Sequence, residues 1–225
     1  MKNLKIRCSS IGKIMTNPRT KGECLSATAR THVQERFLEI EYGIYKEFWS
    51  RYTDKGNQVE DEAILMAESL FDGMFLEKNE LKFTNEYLTG VPDVITDDFI
   101  IDVKSSYNAH TFPFFETELP NKDYFYQMQG YMALTEKTDA YVIYCLINTP
   151  EDIVLDEIRR ESWKRKEISI SEEVEEYVRS IHTFDNIPRD KRIKVFHVER
   201  NDGVIESIYQ RIDECRKYYE TLKEK

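Results

Sequence analysis

Residues 98–105 read DFIIDVKS, and this run restricts the fold more than any other part of the chain. It is apolar and β-branched enough for a central strand, yet it carries Asp102 and Lys104. Side chains alternate across a strand. Ile100, Asp102 and Lys104 therefore share one face, while Phe99, Ile101 and Val103 share the other. Thr96-Asp97-Asp98 closes a hairpin ahead of it, and VPDV at 91–94 runs antiparallel alongside, which brings Asp93 onto the adjacent strand. Charges on the core side of a sheet must be compensated. One solution is a solvated hairpin face, with an Asp–Lys pair worth ~0.2–1 kcal/mol. The other is a centre that holds a divalent cation and a water beside a phosphodiester.

Flanking patterns supply the rest of the fold. Ser9 and Ser10 precede IGKIM as an N-cap for a short helix. Helical periodicity covers 26–42, with Ser26 or Thr28 as cap and Gly43 as stop, and then 56–71. Strand-like runs occupy 74–84, 87–95 and 98–105, followed by a helix at 122–136 and a buried strand within 139–148. A charged helix at 171–181, a strand at 194–199 and a closing helix from 202 complete the chain. No repeat or linker-like tract interrupts residues 1–225, so the expectation is one α/β domain with a mixed sheet flanked by helices.

Two helices add polar groups. Stepping ~100° per residue from Val59 places Glu60 inside the apolar arc of the 56–71 helix, whereas Asp61 and Glu68 fall outside. A buried acid needs a counter-charge, which a metal would supply; the alternative is a first-turn acid favoured by the helix dipole and reaching solvent. In YQMQGYM at 126–132, Gln127 and Tyr131 share a helix face, with Gln129 offset. A pair projecting toward the sheet could hold a phosphate or a water.

Composition removes several classes. The cysteines at 8, 24, 145 and 215 are scattered and far from histidine, which argues against a zinc ribbon or an iron–sulfur cluster. No apolar run is long enough to span a bilayer and the N-terminus lacks a signal-like apolar stretch, so a cytoplasmic location is expected. The formal net charge of −10 speaks against a general nucleic-acid coat. Basic residues nevertheless cluster at 2–21, at 159–166 and at 189–194, as grips on DNA or as solvated faces.

The order GVPD…DVK, with a helical glutamate upstream and a glutamine-bearing helix downstream, resembles the PD-(D/E)xK nuclease superfamily. Within it, the chain resembles the lambda-type phage exonucleases. IRCSSIGKIM and NPRTKG, GNQVEDEA, and QMQGYM appear in that family's order and span residues 6–132; beyond them only length and general pattern agree. The resemblance implies a restriction-endonuclease-like core in which Asp93 and Asp102 ligate Mg²⁺ (or Mn²⁺), with the Val103 carbonyl as a further ligand. It assigns Lys104 to the attacking water, Glu60 to the metal or its water shell, and Gln127 to support of the centre, beside Gln129 and Tyr131. Ser9 matches the serine that binds a DNA 5′-phosphate, and Ser10 is the adjacent alternative. The family's basic partner lies further upstream, leaving Lys2, Lys5, Arg7 or Arg19 as substitutes. Asp102 also stands where the last acid of the motif is often Glu. The implied activity is Mg²⁺-dependent 5′→3′ digestion of one strand of duplex DNA from its ends. The implied partners are a homo-oligomeric ring, as a trimer, and a single-strand annealing protein. An endonuclease of the same core, or a non-catalytic DNA-end binder, are the alternatives.

Overall fold

A computed structural model describes residues 4–46, 50–71 and 73–224. Lys2 lies outside the described residues. Strand β1 (Ile6–Arg7) leads through one 3-10 turn into the short helix α1 (Ile11–Ile14), followed by α2 (Ala27–Tyr42), α3 (Arg51–Gln58) and α4 (Glu60–Glu68). Next come β2 (Phe83–Thr84), β3 (Leu88–Gly90), β4 (Val94–Ile95) and β5 (Phe99–Ser105). Helix α5 (Lys122–Thr135) and β6 (Asp139–Cys145) precede α6 (Glu151–Lys164), α7 (Glu172–His182), β7 (Ile193–Glu199) and α8 (Asp202–Lys223).

The larger sheet runs β4-β5-β6-β7, with β5 and β6 parallel and the outer pairings antiparallel. A parallel pair needs a crossover, which α5 provides. The smaller sheet, β1-β3-β2, stands apart from it. Ile100 faces the main core with Met128, Ala140, Val142 and Ile208, while Ile101 and Val103 face a second core under α4 with Ala63, Met66 and Ile143. Strand β5 is thus covered on both faces, and the alternation of 98–105 is realised. The α/β class and the flanked mixed sheet are those expected.

Several boundaries differ. The expected 56–71 helix begins earlier, at Arg51 under a Ser50 cap, and breaks at Val59, whose φ of −107° and ψ of 10° leave the helical region. The 87–95 run is two strands in different sheets, because Pro92 between them has no N–H for a ladder. Most of 74–84 is not strand. Asn79 turns the chain by accepting from Leu81 N at 3.1 Å and donating to the Leu81 and Pro92 carbonyls, with only Lys78 bridging to Val94. Strand β1 and helix α6 were not expected; α6 lies largely beneath what reads in sequence as a basic cluster. Helix α1 has four residues, and Ser10 holds its N-cap position as expected but makes no side-chain capping bond.

Candidate active site

The parallel pairing of β5 with β6 and the crossover helix α5 fix the centre of the site. Asp102 is 1% exposed, and its Oδ1 accepts from Gln127 Nε2 at 2.9 Å. The Lys104 ammonium lies against Asp102 Oδ2 and sits 4.7 Å from the centre of the Tyr124 ring. Asp93, at the end of the turn before β4, reaches across the hairpin, where its Oδ2 accepts from Val103 N at 2.8 Å. Gln127 also donates to the Tyr131 hydroxyl at 3.0 Å, which donates in turn to the Val91 carbonyl at 3.0 Å. Close packing permits this arrangement. A Cβ on Gly90 would stand 2.5 Å from the Tyr131 ring, and one on Gly130 would stand 2.4 Å from Ile11 Cδ1.

The electrostatics follow from burial. Desolvation, reinforced by Asp102, raises the Asp93 pKa well above the ordinary carboxylate value against the opposing pull of Lys104 and the Val103 amide. Burial lowers the Lys104 pKa, but Asp102 and then Asp93 outweigh it, and the net shift is upward. Burial also pushes the Tyr131 phenol up, with Asp102 adding to the effect, so it remains a donor.

Asp93, Val103 and Lys104 line a cleft of about 480 Å³, together with Tyr52, Asn57 and Glu60 from α3 and α4. The donor chemistry suits a hard cation. Asp102 Oδ2 is buried and takes no well-directed hydrogen bond despite the ammonium against it, and only one oxygen of Asp93 is engaged. Among the described residues, no three acidic, histidine or cysteine side chains gather closely enough to hold a metal. The fit therefore rests on the Asp93–Asp102 pair with main-chain oxygen, water and substrate completing the shell.

Glu60 lines the cleft, but it does not join that pair as a third carboxylate. It is the first residue of α4, its side chain is 29% exposed, and Lys78 lies 3.4 Å away. The counter-charge that its position demands is this lysine. Gln129 is not at the centre at all. It is fully buried, donating to the Glu199 carbonyl and accepting from Asn201 N, both at 2.8 Å, and so secures the turn into α8.

A second cavity, of about 340 Å³, holds Ser9 with Arg7, Lys82, Thr89, Val91 and Tyr131. Arg7 is committed to Glu39 at 2.6 Å, whereas Lys82 is exposed and has no ion-pair partner among the described residues. Ser10 is half-buried beside Ser9 but does not line this cavity, and Arg19 is exposed in the loop before α2. Lys5 donates to Thr84 Oγ1. In the cluster at 159–166, Arg159, Lys164 and Arg165 pair with Asp156, Glu161 and Glu173, which makes it largely a self-neutralised face. Sequence reasoning missed Lys82, Tyr52 and Tyr124; for Tyr124, its spacing with Gln127 and Tyr131 on one helix face was an available signal.

No protein-family model matches the chain, and no curated protein matches it. Solved structures do. A phage-related exonuclease from Haemophilus somnus 129PT is 28% identical, with a TM-score of 0.79 over 99% of this chain and 96% of that one. An alkaline exonuclease from Laribacter hongkongensis, also solved in complex with dAMP, is 17% identical with a TM-score of 0.66, covering 98% of this chain and 92% of its own. The second likeness is one of fold; the first has the higher identity and extends over nearly the whole of both chains. By structure, the chain is similar to these exonucleases, which supports the resemblance to the lambda-type phage exonucleases read from its sequence.

Proposed function

We propose that this protein is a metal-dependent exonuclease that digests one strand of linear duplex DNA, 5′→3′ from a 5′-phosphorylated end, leaving a 3′ overhang for recombination. The observation that carries the reading is the convergence of Asp93, Asp102 and Lys104 at the hairpin: a buried carboxylate paired with an ammonium, and a second, half-buried carboxylate held by the Val103 amide, beside an open cleft. Asp93 and Asp102 would hold Mg²⁺ or Mn²⁺, with the Val103 carbonyl as a further oxygen and Glu60 toward the water shell. A cation bound there lowers the pKa of its water and offsets charge on the phosphoryl oxygens. Lys104 Nζ would hold the attacking water or donate to a phosphate oxygen. Gln127 fixes the Asp102 carboxylate by donating to Oδ1 and leaves Oδ2 to the Lys104 ammonium. Ser9 and Lys82 form the end-recognition cavity, with Lys82 in place of the upstream basic residue.

The chain is acidic overall, with a net charge of −10, and its 159–166 basic cluster is largely paired. Retention on DNA by a ring-shaped homotrimer, rather than by general attraction, agrees with that balance. A single-strand annealing protein is the proposed partner, in the cytoplasm of the cell. No helix among the described residues is long and apolar enough to cross a membrane.

End-labelled linear duplex with Mg²⁺, bearing either a 5′-phosphate or a 5′-hydroxyl, tests the reading. Covalently closed circular DNA serves as the control. Stepwise loss from phosphorylated ends and an intact circle are expected; cutting of the circle would replace the end-dependent reading with an endonuclease, and no cleavage with either metal would end both. Sedimentation at working concentration tests the trimer.

A further inference from the structure

Lys55, on α3, is fully buried. Among the described residues it has no ion-pair partner, and its ammonium instead donates to the main-chain carbonyls of Ser106 at 2.9 Å and Tyr107 at 3.0 Å. The ring of Phe184 lies 5.2 Å away. Carbonyl oxygens and aromatic faces compensate a buried cation only in part, and burial pushes the Lys55 pKa down to about 7 against a weaker pull from Glu62. The fold thus holds a costly charge behind the segment that follows the catalytic strand. Ser106 and Tyr107 both line the cleft, and Lys55 does not.

The peptide geometry gives that placement a consequence. There are no cis peptide bonds, so the C=O of Ser106 and the N–H of Tyr107, which belong to one peptide plane, point in opposite directions. The carbonyl faces Lys55 behind the wall; the N–H faces the other way. The neighbouring amides are occupied, Ser106 N by the Cys145 carbonyl at 2.9 Å and Asn108 N by Thr111 Oγ1 at 3.1 Å. The Tyr107 amide has no acceptor among the described residues.

We infer that Lys55 is a positioning residue which clamps the Ser106–Tyr107 peptide so that the Tyr107 N–H donates into the cleft, to a non-bridging oxygen of the DNA phosphate being cleaved. A donor fixed in advance in a site shielded from water stabilises charge that grows on such an oxygen during attack. The inference rests on the nuclease reading above and adds a main-chain donor to its side chains.

The test uses the isotope-labelled full chain with a 5′-phosphorylated duplex, Ca²⁺ replacing Mg²⁺ so that DNA binds without being cut. A downfield shift of the Tyr107 amide proton on saturation is expected in the parent protein. In parallel, Lys55→Met should lower kcat on linear duplex by on the order of 10²-fold, the cost of losing an aligned donor, with a much smaller change in KM. Lys55→Arg, which can again donate to both carbonyls, should recover part of that loss. An unmoved Tyr107 amide in a parent that cuts DNA, or full kcat in Lys55→Met, overturns the clamp and leaves the nuclease reading standing. A parent that cuts nothing overturns both. If Lys55→Met does not fold, the parent's amide shift alone decides.

Discussion

The inner cleft and the outer cavity are built in opposite ways. The inner cleft draws its polar groups from β5, the turn before β4 and helices α3 to α5, and its central acid, Asp102, is buried and held by Gln127 from the crossover helix. The outer cavity draws Ser9 and Lys82 from short, exposed segments, and its nearest arginine is already paired with Glu39. Chemistry demands atoms held within fractions of an ångström, which regular elements supply. Catching a phosphate tolerates a looser grip, because a long lysine side chain can adapt. Rigid inside and adaptable outside is the division of labour that substitutions can break or sharpen.

The largest effect belongs inside. Asp102→Asn or Lys104→Ala should cut the rate of DNA cleavage by at least ~10²–10³-fold in single-turnover assays, with the fold intact by circular dichroism. Asp93→Asn should be equally inactive, yet more stable than the parent in the absence of metal. The Asp93 pKa is raised in the folded protein, so its stabilising contribution is present at acid pH and is lost as pH rises from the ordinary carboxylate value through the raised one. Thermal melts in EDTA at neutral pH should show the variant ahead, and added Mg²⁺ should narrow the gap by stabilising only the parent. A variant no more stable than the parent would mean that the carboxylate pair is not under the repulsion described here.

Gln127→Leu comes next. It strips Asp102 Oδ1 of its donor in a buried site, which should cost about 1–3 kcal/mol in denaturant unfolding and around tenfold in rate. Outside, Lys82→Ala and Ser9→Ala should raise KM several-fold for 5′-phosphorylated ends and leave 5′-hydroxyl ends unaffected. Arg7→Ala should change either substrate little, since an exposed pair contributes ~0.2–1 kcal/mol. Equal losses on both kinds of end would erase the distinction between the cavities.

The smallest effect is a slope. Lys55 is charged below about 7 in the folded chain and up to its ordinary 10.5 when unfolded. The unfolded state therefore binds the extra proton across that window, and the Lys55 contribution makes stability rise with pH through it. Glu62, His182, Arg51 and Glu157 form the local charge environment of this lysine and of the Tyr107 ring and will modulate the slope. Denaturant midpoints across the window should rise in the parent and flatten in Lys55→Met.

Much of the scaffold was legible because its signals are local. Ser26 accepts from Ala29 N and Gly43 ends α2 at a φ of 66°, as the cap and stop residues imply. Strand alternation put Asp102 and Lys104 on one face, and helix spacing put Gln127 near Tyr131. Failures arose where a distant partner decides the outcome. Gln129 reads like Gln127 in a helical pattern, yet one meets Asp102 and the other the turn after β7. Lys55 reads as a solvated helix lysine; only its contact with carbonyls 51 and 52 residues away reveals otherwise. The Val59 break similarly defeated the continuous helix on which Glu60 was phased, so its apolar-arc position carried less than it appeared to.

The Tyr131 hydroxyl touches both worlds. It takes a hydrogen from Gln127 and gives its own to the Val91 carbonyl in the wall of the outer cavity. On the end-binding role proposed for that cavity, a strand terminus seated there would shift the backbone at 91 and pull, through two polar links, on the amide that orients Asp102. Under that proposal, arrival of the end and alignment of the scissile chemistry would be joined by a tether as short as one phenol.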